Sequence, residues 1–140
     1  MSDEGGLDIY TDGAARGNPG HAAYAYLLVA DGAIVLEGSA YAGVTTNNTA
    51  EYLAIIHALE AASARTDGDL SLHSDSELVV RQMTGEYRVN KEHLRELKAR
   101  VLALVGRFKS VRFLSVRRTN PFIARADRLC NEELDRRGGA

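Results

Sequence analysis

The chain has 140 residues, 45% of them hydrophobic and 26% charged, which suits a single globular domain over residues 1–140 with a real core. Its apolar runs are too short to span a bilayer, the start Met1-Ser-Asp-Glu-Gly-Gly is unlike a signal peptide, and the one cysteine, Cys130, can form no internal disulfide; membrane and disulfide-stapled classes drop out, and a cytoplasmic monomer is expected. The net charge of −2 conceals an imbalance: residues 88–118 carry ten Lys or Arg against only Glu92 and Glu96, so that segment is +8, the remainder is −10, and a polyanionic partner is implied.

Leu7 to Asp12 alternates Leu7, Ile9 and Thr11 against Asp8, Tyr10 and Asp12, the period of a half-exposed strand. Asn18-Pro19-Gly20 is a turn, and Ala22 to Ala30 is a second strand rich in Tyr, Leu and Val. Asp31-Gly32 signals a hairpin into a third strand, Ala33 to Gly38. The period then turns helical: Tyr52, Ile55, Ile56, Leu59 and Ala62 form one stripe, broken at Asp67-Gly68. Leu70 to Ser74 is a short strand, and Ser76 to Met83 a short helix ended by Thr84-Gly85. Asn90 is placed to cap a longer helix with apolar Leu94, Leu97, Val101 and Leu104, closed by Gly106. Val111 to Val116 is the last strand and Ala124 to Arg137 the last helix. The order β-β-β-α-β-α-α-β-α, a meander followed by strands with helical crossovers, predicts an α/β fold: a mixed sheet with helices on its faces.

Four acids stand at the joints of these elements. Asp12 and Asp75 come where strands stop, and Glu51 and Asp127 where helices start. Such placement gathers distant carboxylates, and clustered carboxylates repel unless divalent cations sit between them. Each acid also has an ordinary explanation. Asp12 before Gly13 suits a turn. Asn48-x-x-Glu51 and Ser74-x-x-Glu77 both have the form of a capping box, and Asp75 and Asp127 suit the positive end of a helix. All four together are harder to explain that way. His21, His57, His73 and His93 lack metal-ligand spacing, and Cys130, beside Leu129 and Leu134 on an apolar helix side, reads as core.

The segments Tyr10-Thr-Asp-Gly-Ala, Gly17-Asn-Pro-Gly, Thr45-Thr-Asn-Asn-Thr-Ala-Glu, His73-Ser-Asp-Ser-Glu and Ala126-Asp-Arg-Leu follow one another in this order. Through them the chain resembles ribonuclease H of the type 1 branch, from about Leu7 to Leu134. The resemblance implies the ribonuclease H-like fold, a five-stranded mixed sheet in the order 3-2-1-4-5 with helices on both faces. It implies an endonuclease that cuts the RNA strand of RNA–DNA hybrids, leaving 5′-phosphate and 3′-hydroxyl ends; double-stranded RNA stands beside this as a candidate partner that the sequence does not decide. It makes Asp12, Glu51, Asp75 and Asp127 the ligands of two Mg²⁺ ions, for which Mn²⁺ substitutes. Asn18, Asn47 and Asn48, with the backbone around Gly13 and Ala14, become substrate contacts. They would read the ribose 2′-hydroxyl that separates RNA from DNA.

Three departures from the family pattern stand out. Glu77 occupies a substrate-contact position where many relatives carry Gln. The segment Thr84-Gly-Glu-Tyr-Arg-Val-Asn-Lys91 runs straight into one helix, so the basic protrusion of many relatives is missing. Lys91, Arg95 and Lys98, at spacings of four and three, are expected to grip the DNA strand from one helix face in its stead. The segment Arg117-Arg-Thr-Asn-Pro-Phe-Ile-Ala-Arg-Ala-Asp127 holds no histidine where relatives place a catalytic one; Arg118 is the expected substitute and Arg117 the second choice. Two other readings compete: another nuclease of the same fold, and a catalytically inactive nucleic-acid-binding module.

Overall fold

A computed structural model describes residues 6–137. Its elements are β1 Leu7–Gly17, β2 Gly20–Ala30, β3 Ala33–Thr45, α1 Asn47–Ser63, β4 Asp69–Ser74, α2 Glu77–Met83, α3 Glu92–Val105, β5 Ser110–Ser115 and α4 Pro121–Arg136. The strands form one sheet in the order β3-β2-β1-β4-β5. β1 pairs antiparallel with β2, and β2 antiparallel with β3; β1 pairs parallel with β4, and β4 parallel with β5. The expected sheet and element order are both present.

Alternation along the strands sends side chains to two cores. Leu7, Ile9, Leu28, Leu70 and Leu72 meet α1, α2 and α3 through Tyr52, Ile56, Leu59, Val79 and Val101. On the opposite face Ala23 and Ala25 pack on Ala126, Cys130 and Leu134 of α4, while Tyr10, Leu27 and Val29 pack on Ile123. The small alanines let α4 lie close to the sheet. Cys130 is fully buried and burial pushes its thiol far above the ordinary range, so it behaves as core. No helix among the described residues is long and apolar enough to cross a membrane.

Several boundaries move from their sequence-based positions. β1 continues five residues past Asp12, because Gly13 to Gly17 still pair with β2, from Gly13↔Tyr24 to Gly17↔Gly20. β3 runs on to Thr45 rather than stopping at Gly38. The α1 cap is Thr46, not Asn48: the Thr46 side chain accepts from the Thr49 N–H at 3.2 Å. Glu51 therefore lies two residues further in, at the fifth helical position, and is no capping-box partner. Ser76 likewise caps α2 by accepting from Val79 N–H at 3.2 Å, leaving Asp75 outside the helix. α3 starts after Lys91 with no side-chain cap, so Asn90 does not cap it, and Gly106 at its end has an ordinary right-handed φ of −65°. α4 begins three residues early, at Pro121, whose missing N–H costs nothing there; Asn120 caps it by accepting from Phe122 and Ile123. Asp127 is thus inside the helix rather than at its start.

Candidate active site

The parallel pairing of β1 with β4 ends at Thr11↔Ser74. The next residues on the two strands are Asp12 and Asp75. They stand where the parallel pairing ends and the two strands part, the place in such sheets where a crevice for a ligand opens. α1 closes the crevice from one side. Gly13 makes that approach possible, since a Cβ on it would lie 2.5 Å from Ala50 C and Glu51 N. Strand and helix backbones touch here, and Glu51 is carried alongside Asp12.

Asp12, Glu51 and Asp75 each place a carboxylate oxygen within 4.8 Å of the others. Asp127, exposed on α4, lines the same hollow of about 490 Å³. Gly13, Ala14, Asn47, Asn48 and Arg118 complete most of its wall. All four predicted acids are therefore together. Burial, then the charges of Asp75 and Asp127, pushes the Asp12 carboxyl up to about 8. Burial, then Asp12 and Asp75, raises Glu51 well above its ordinary value. Among the described residues the buried Glu51 Oε1 has no hydrogen-bond partner. Hard oxygen donors, mutual repulsion and an orphaned buried oxygen fit a divalent cation.

Asn47 and Asn48 line the site, and Asn47 and Asn18 brace it. Asn47 Oδ1 accepts from Ala15 N–H at 2.8 Å, and Asn18 Oδ1 accepts from Asn47 N–H at 3.0 Å. These bonds tie the β1–β2 turn to the start of α1 through the amide oxygens, so the NH₂ ends are available to a substrate. Arg118 reaches in from the loop after β5, with Nε 3.7 Å from Asp75 Oδ2 and its side chain 91% exposed. Arg117 is exposed and does not line this hollow.

The remaining expected contacts divide. Lys91 lines a neighbouring hollow of about 390 Å³, as do Asn18 and Asn48. Arg95 and Lys98 line a different one, beside Tyr87 and Leu102. Arg95 is also committed to the protein, donating to the Val89 carbonyl at 3.0 Å, the Asn90 carbonyl at 3.1 Å and Glu92 at 3.3 Å. Lys91 thus borders the hollow next to the acids, while Arg95 and Lys98 border another. Glu77 is exposed and paired with Arg81 at 2.8 Å, and it lines neither hollow that holds Asn48.

The hollow at Lys91 contains groups that sequence reasoning passed over: Thr46, Gln82, Arg88 and His93. Gln82 Oε1 accepts from Tyr52 OH at 2.6 Å, which directs its NH₂ outward. His93 Nε2 and Thr49 Oγ1 are 3.0 Å apart. Only the basic excess over residues 88–118 hinted at this patch, because its members come from four separate segments.

Comparison with known proteins agrees with this geometry. The model of a family described as reverse transcriptase-like matches residues 10–132. Over 95% of its length the chain is 46% identical to ribonuclease HI of Halobacterium salinarum, spanning 67% of that protein. It is 38% identical over 91% of its length to a bifunctional protein of Mycobacterium tuberculosis, spanning 35% of it. The crystal structure of the Halobacterium salinarum RNase H1 superposes with a TM-score of 0.88 at 45% identity, covering 94% of this chain and 99% of that one. LC11-RNase H1, solved in complex with an RNA/DNA hybrid, gives 0.88 at 40% identity, covering 94% and 98%.

Proposed function

The chain belongs to the ribonuclease H family, and we propose that it is a metal-dependent endonuclease, acting through this one domain, that hydrolyses the RNA strand of RNA–DNA hybrids to 5′-phosphate and 3′-hydroxyl ends. The observation that carries the reading is the convergence of Asp12, Glu51, Asp75 and Asp127 on one open hollow, with two of them held above their ordinary proton affinity. An inactive binding module has no need of that repulsion.

In this reading the four carboxylates hold two divalent ions, Mg²⁺ by preference, with Mn²⁺ as a substitute. Bound there, such ions activate the attacking water and stabilise the leaving oxygen of the phosphodiester. Asp12, at the centre of the cluster, and the buried Glu51 fix the ions from the protein side; Asp75 and the exposed Asp127 face the substrate. Asn18, Asn47 and Asn48, with the backbone of Gly13 and Ala14, bind the RNA strand near its 2′-hydroxyls. Arg118 takes the scissile phosphate as a forked donor, a task a permanently charged guanidinium performs at any working pH. Asn48 borders both hollows, so a duplex whose RNA strand lies over the acids carries its other strand toward Thr46, Gln82, Arg88, Lys91 and His93. Those groups suit a backbone phosphate. The same proposal makes the protein a cytoplasmic monomer and keeps double-stranded RNA as a candidate second partner, which the RNA–RNA arm of the test decides.

The test is cleavage of matched RNA–DNA, RNA–RNA and DNA–DNA duplexes, with chelator and with Mg²⁺ or Mn²⁺ restored. Hybrid cutting that needs metal, with deoxyribonucleotide positions left uncut, is the expected result. Equal cutting of DNA–DNA duplex, or full activity in verified absence of metal, would end this reading. Asp12→Asn, Glu51→Gln, Asp75→Asn and Asp127→Asn are each expected to lose far more activity than the roughly 10–100-fold that a change behind the ligands costs.

A further inference from the structure

Asp127 is the most exposed of the four acids. Its orientation is nevertheless supported. Asn131, one turn further along α4, donates from Nδ2 to the Asp127 carbonyl at 3.0 Å and to Asp127 Oδ2 at 3.4 Å. The spacing of four puts the two side chains on one face. A neutral amide has two possible orientations, and only one of them presents NH₂ to Asp127. Arg16 selects it. A guanidinium nitrogen can only donate, and Arg16 Nη2 lies 3.2 Å from Asn131 Oδ1 and 3.4 Å from the Asn131 carbonyl. Arg16 is itself held by Asp135 Oδ1 at 2.8 Å. With the amide oxygen claimed by Arg16, the amide nitrogen must face the carboxylate.

We propose that Arg16 and Asn131 are positioning residues for the reaction: Arg16 on β1 sets the Asn131 amide, and Asn131 aims the Asp127 carboxylate at the metal site. This rests on the reading of Asp127 as a metal ligand. Asn in a helix interior is a poorer helix former than Ala, so its presence one turn after Asp127 calls for a reason beyond the helix. The arrangement also joins the ends of two distant elements, since Arg16 lies four residues past Asp12 on the same strand. One strand thereby contributes a carboxylate to the site directly and orients a second carboxylate from behind.

The experiment uses the full chain and two readouts. One is Mn²⁺ binding without substrate, followed by the spectroscopic signal of the free ion; the other is the Mg²⁺ dependence of hybrid cleavage. Asn131→Ala keeps α4, because Ala is the better helix former. It is expected to weaken Mn²⁺ binding and to raise the Mg²⁺ midpoint about tenfold, with kcat at saturating metal falling much less. Arg16→Ala is expected to move both midpoints the same way by a smaller factor. Arg125→Gln serves as the control: it breaks the pair from α4 to Glu37, at 2.8 Å, without touching Asp127. Its midpoints are expected to stay at the wild-type values. Midpoints within twofold of wild type for folded Asn131→Ala overturn the proposal, as does an equal shift in Arg125→Gln, which would reduce the effect to general docking of α4. Asp127→Asn separates the two levels: if it retains both metal binding and cleavage, the reading of Asp127 as a ligand is what fails.

Discussion

Asp12 holds its proton up to about pH 8 when no cation is present, and Glu51 is displaced in the same direction. In the unfolded chain Asp12 releases that proton near its ordinary 3.8. Between those values the native state binds more protons than the unfolded one, so metal-free stability must fall as pH rises through the window. The melting temperature in chelator is expected to drop from pH 5 to pH 8, and Asp12→Asn to flatten that slope and melt higher at pH 8, by about 4 °C for each kcal/mol relieved. Mg²⁺ or Mn²⁺ should reverse the wild-type slope. A flat wild-type profile in chelator would show that the acids do not strain the empty site. Arg118 gives a second residue-level outcome. An arginine does not titrate near neutrality, so no histidine-like limb is expected in the pH–rate profile. Arg118→Ala is expected to lower kcat more than it raises KM without abolishing cleavage. A kinetically silent Arg118→Ala, with a defective Arg117→Ala, would move the role one residue back.

The cationic residues around the start of α3 do different jobs, although sequence spacing groups them. Arg88 and Lys91 border the hollow beside the acids, whereas Arg95 folds back onto the Val89 and Asn90 carbonyls that no helix hydrogen bond serves. Neutralising Arg88 or Lys91 is expected to reduce the salt slope of hybrid binding by about one unit each, with thermal stability unchanged. Arg95→Ala is expected to do the reverse: to destabilise by about 1 kcal/mol, the worth of bonds to backbone carbonyls, and to leave the slope alone. Filter binding at several salt concentrations, beside thermal melts, checks both. The same segment shows where the sequence misled. Asn90 has the side chain of a cap, but its carbonyl, not its amide, is what the structure uses. Thr46 and not Asn48 caps α1, its hydroxyl accepting from Thr49 N–H, and nothing in the local pattern ranks the two.

The order of strands and helices was legible because hydrophobic period changes at each joint, and the four acids because each sits in a distinctive short segment. Residues 13–17 of β1 did not read as strand, since Gly13, Ala14, Ala15 and Gly17 carry no alternation; Gly13 itself is small because the α1 backbone lies against it. The hollow of Asn18, Thr46, Gln82 and Lys91, and the link from Arg16 to Asn131, join residues far apart in sequence and had no local signature. The register of β1 on β4 bears on how such a chain can change length. Asp12 and Asp75 face each other only because Thr11 and Ser74 are partners, and in a strand one added residue turns every later side chain to the other face. A residue inserted inside Leu7–Thr11 or Asp69–Ser74 is therefore expected to destroy cleavage. One inserted at Asp31-Gly32, or between Thr84 and Tyr87, costs only a slightly longer loop. A library of single-residue insertions selected for activity should be empty along the two parallel strands and populated at those turns. Insertions tolerated within β4 would show that the acids are not held by register. Drift in length is thus confined to the turns, and the two strands form a fixed ruler against which the rest of the chain is free to lengthen.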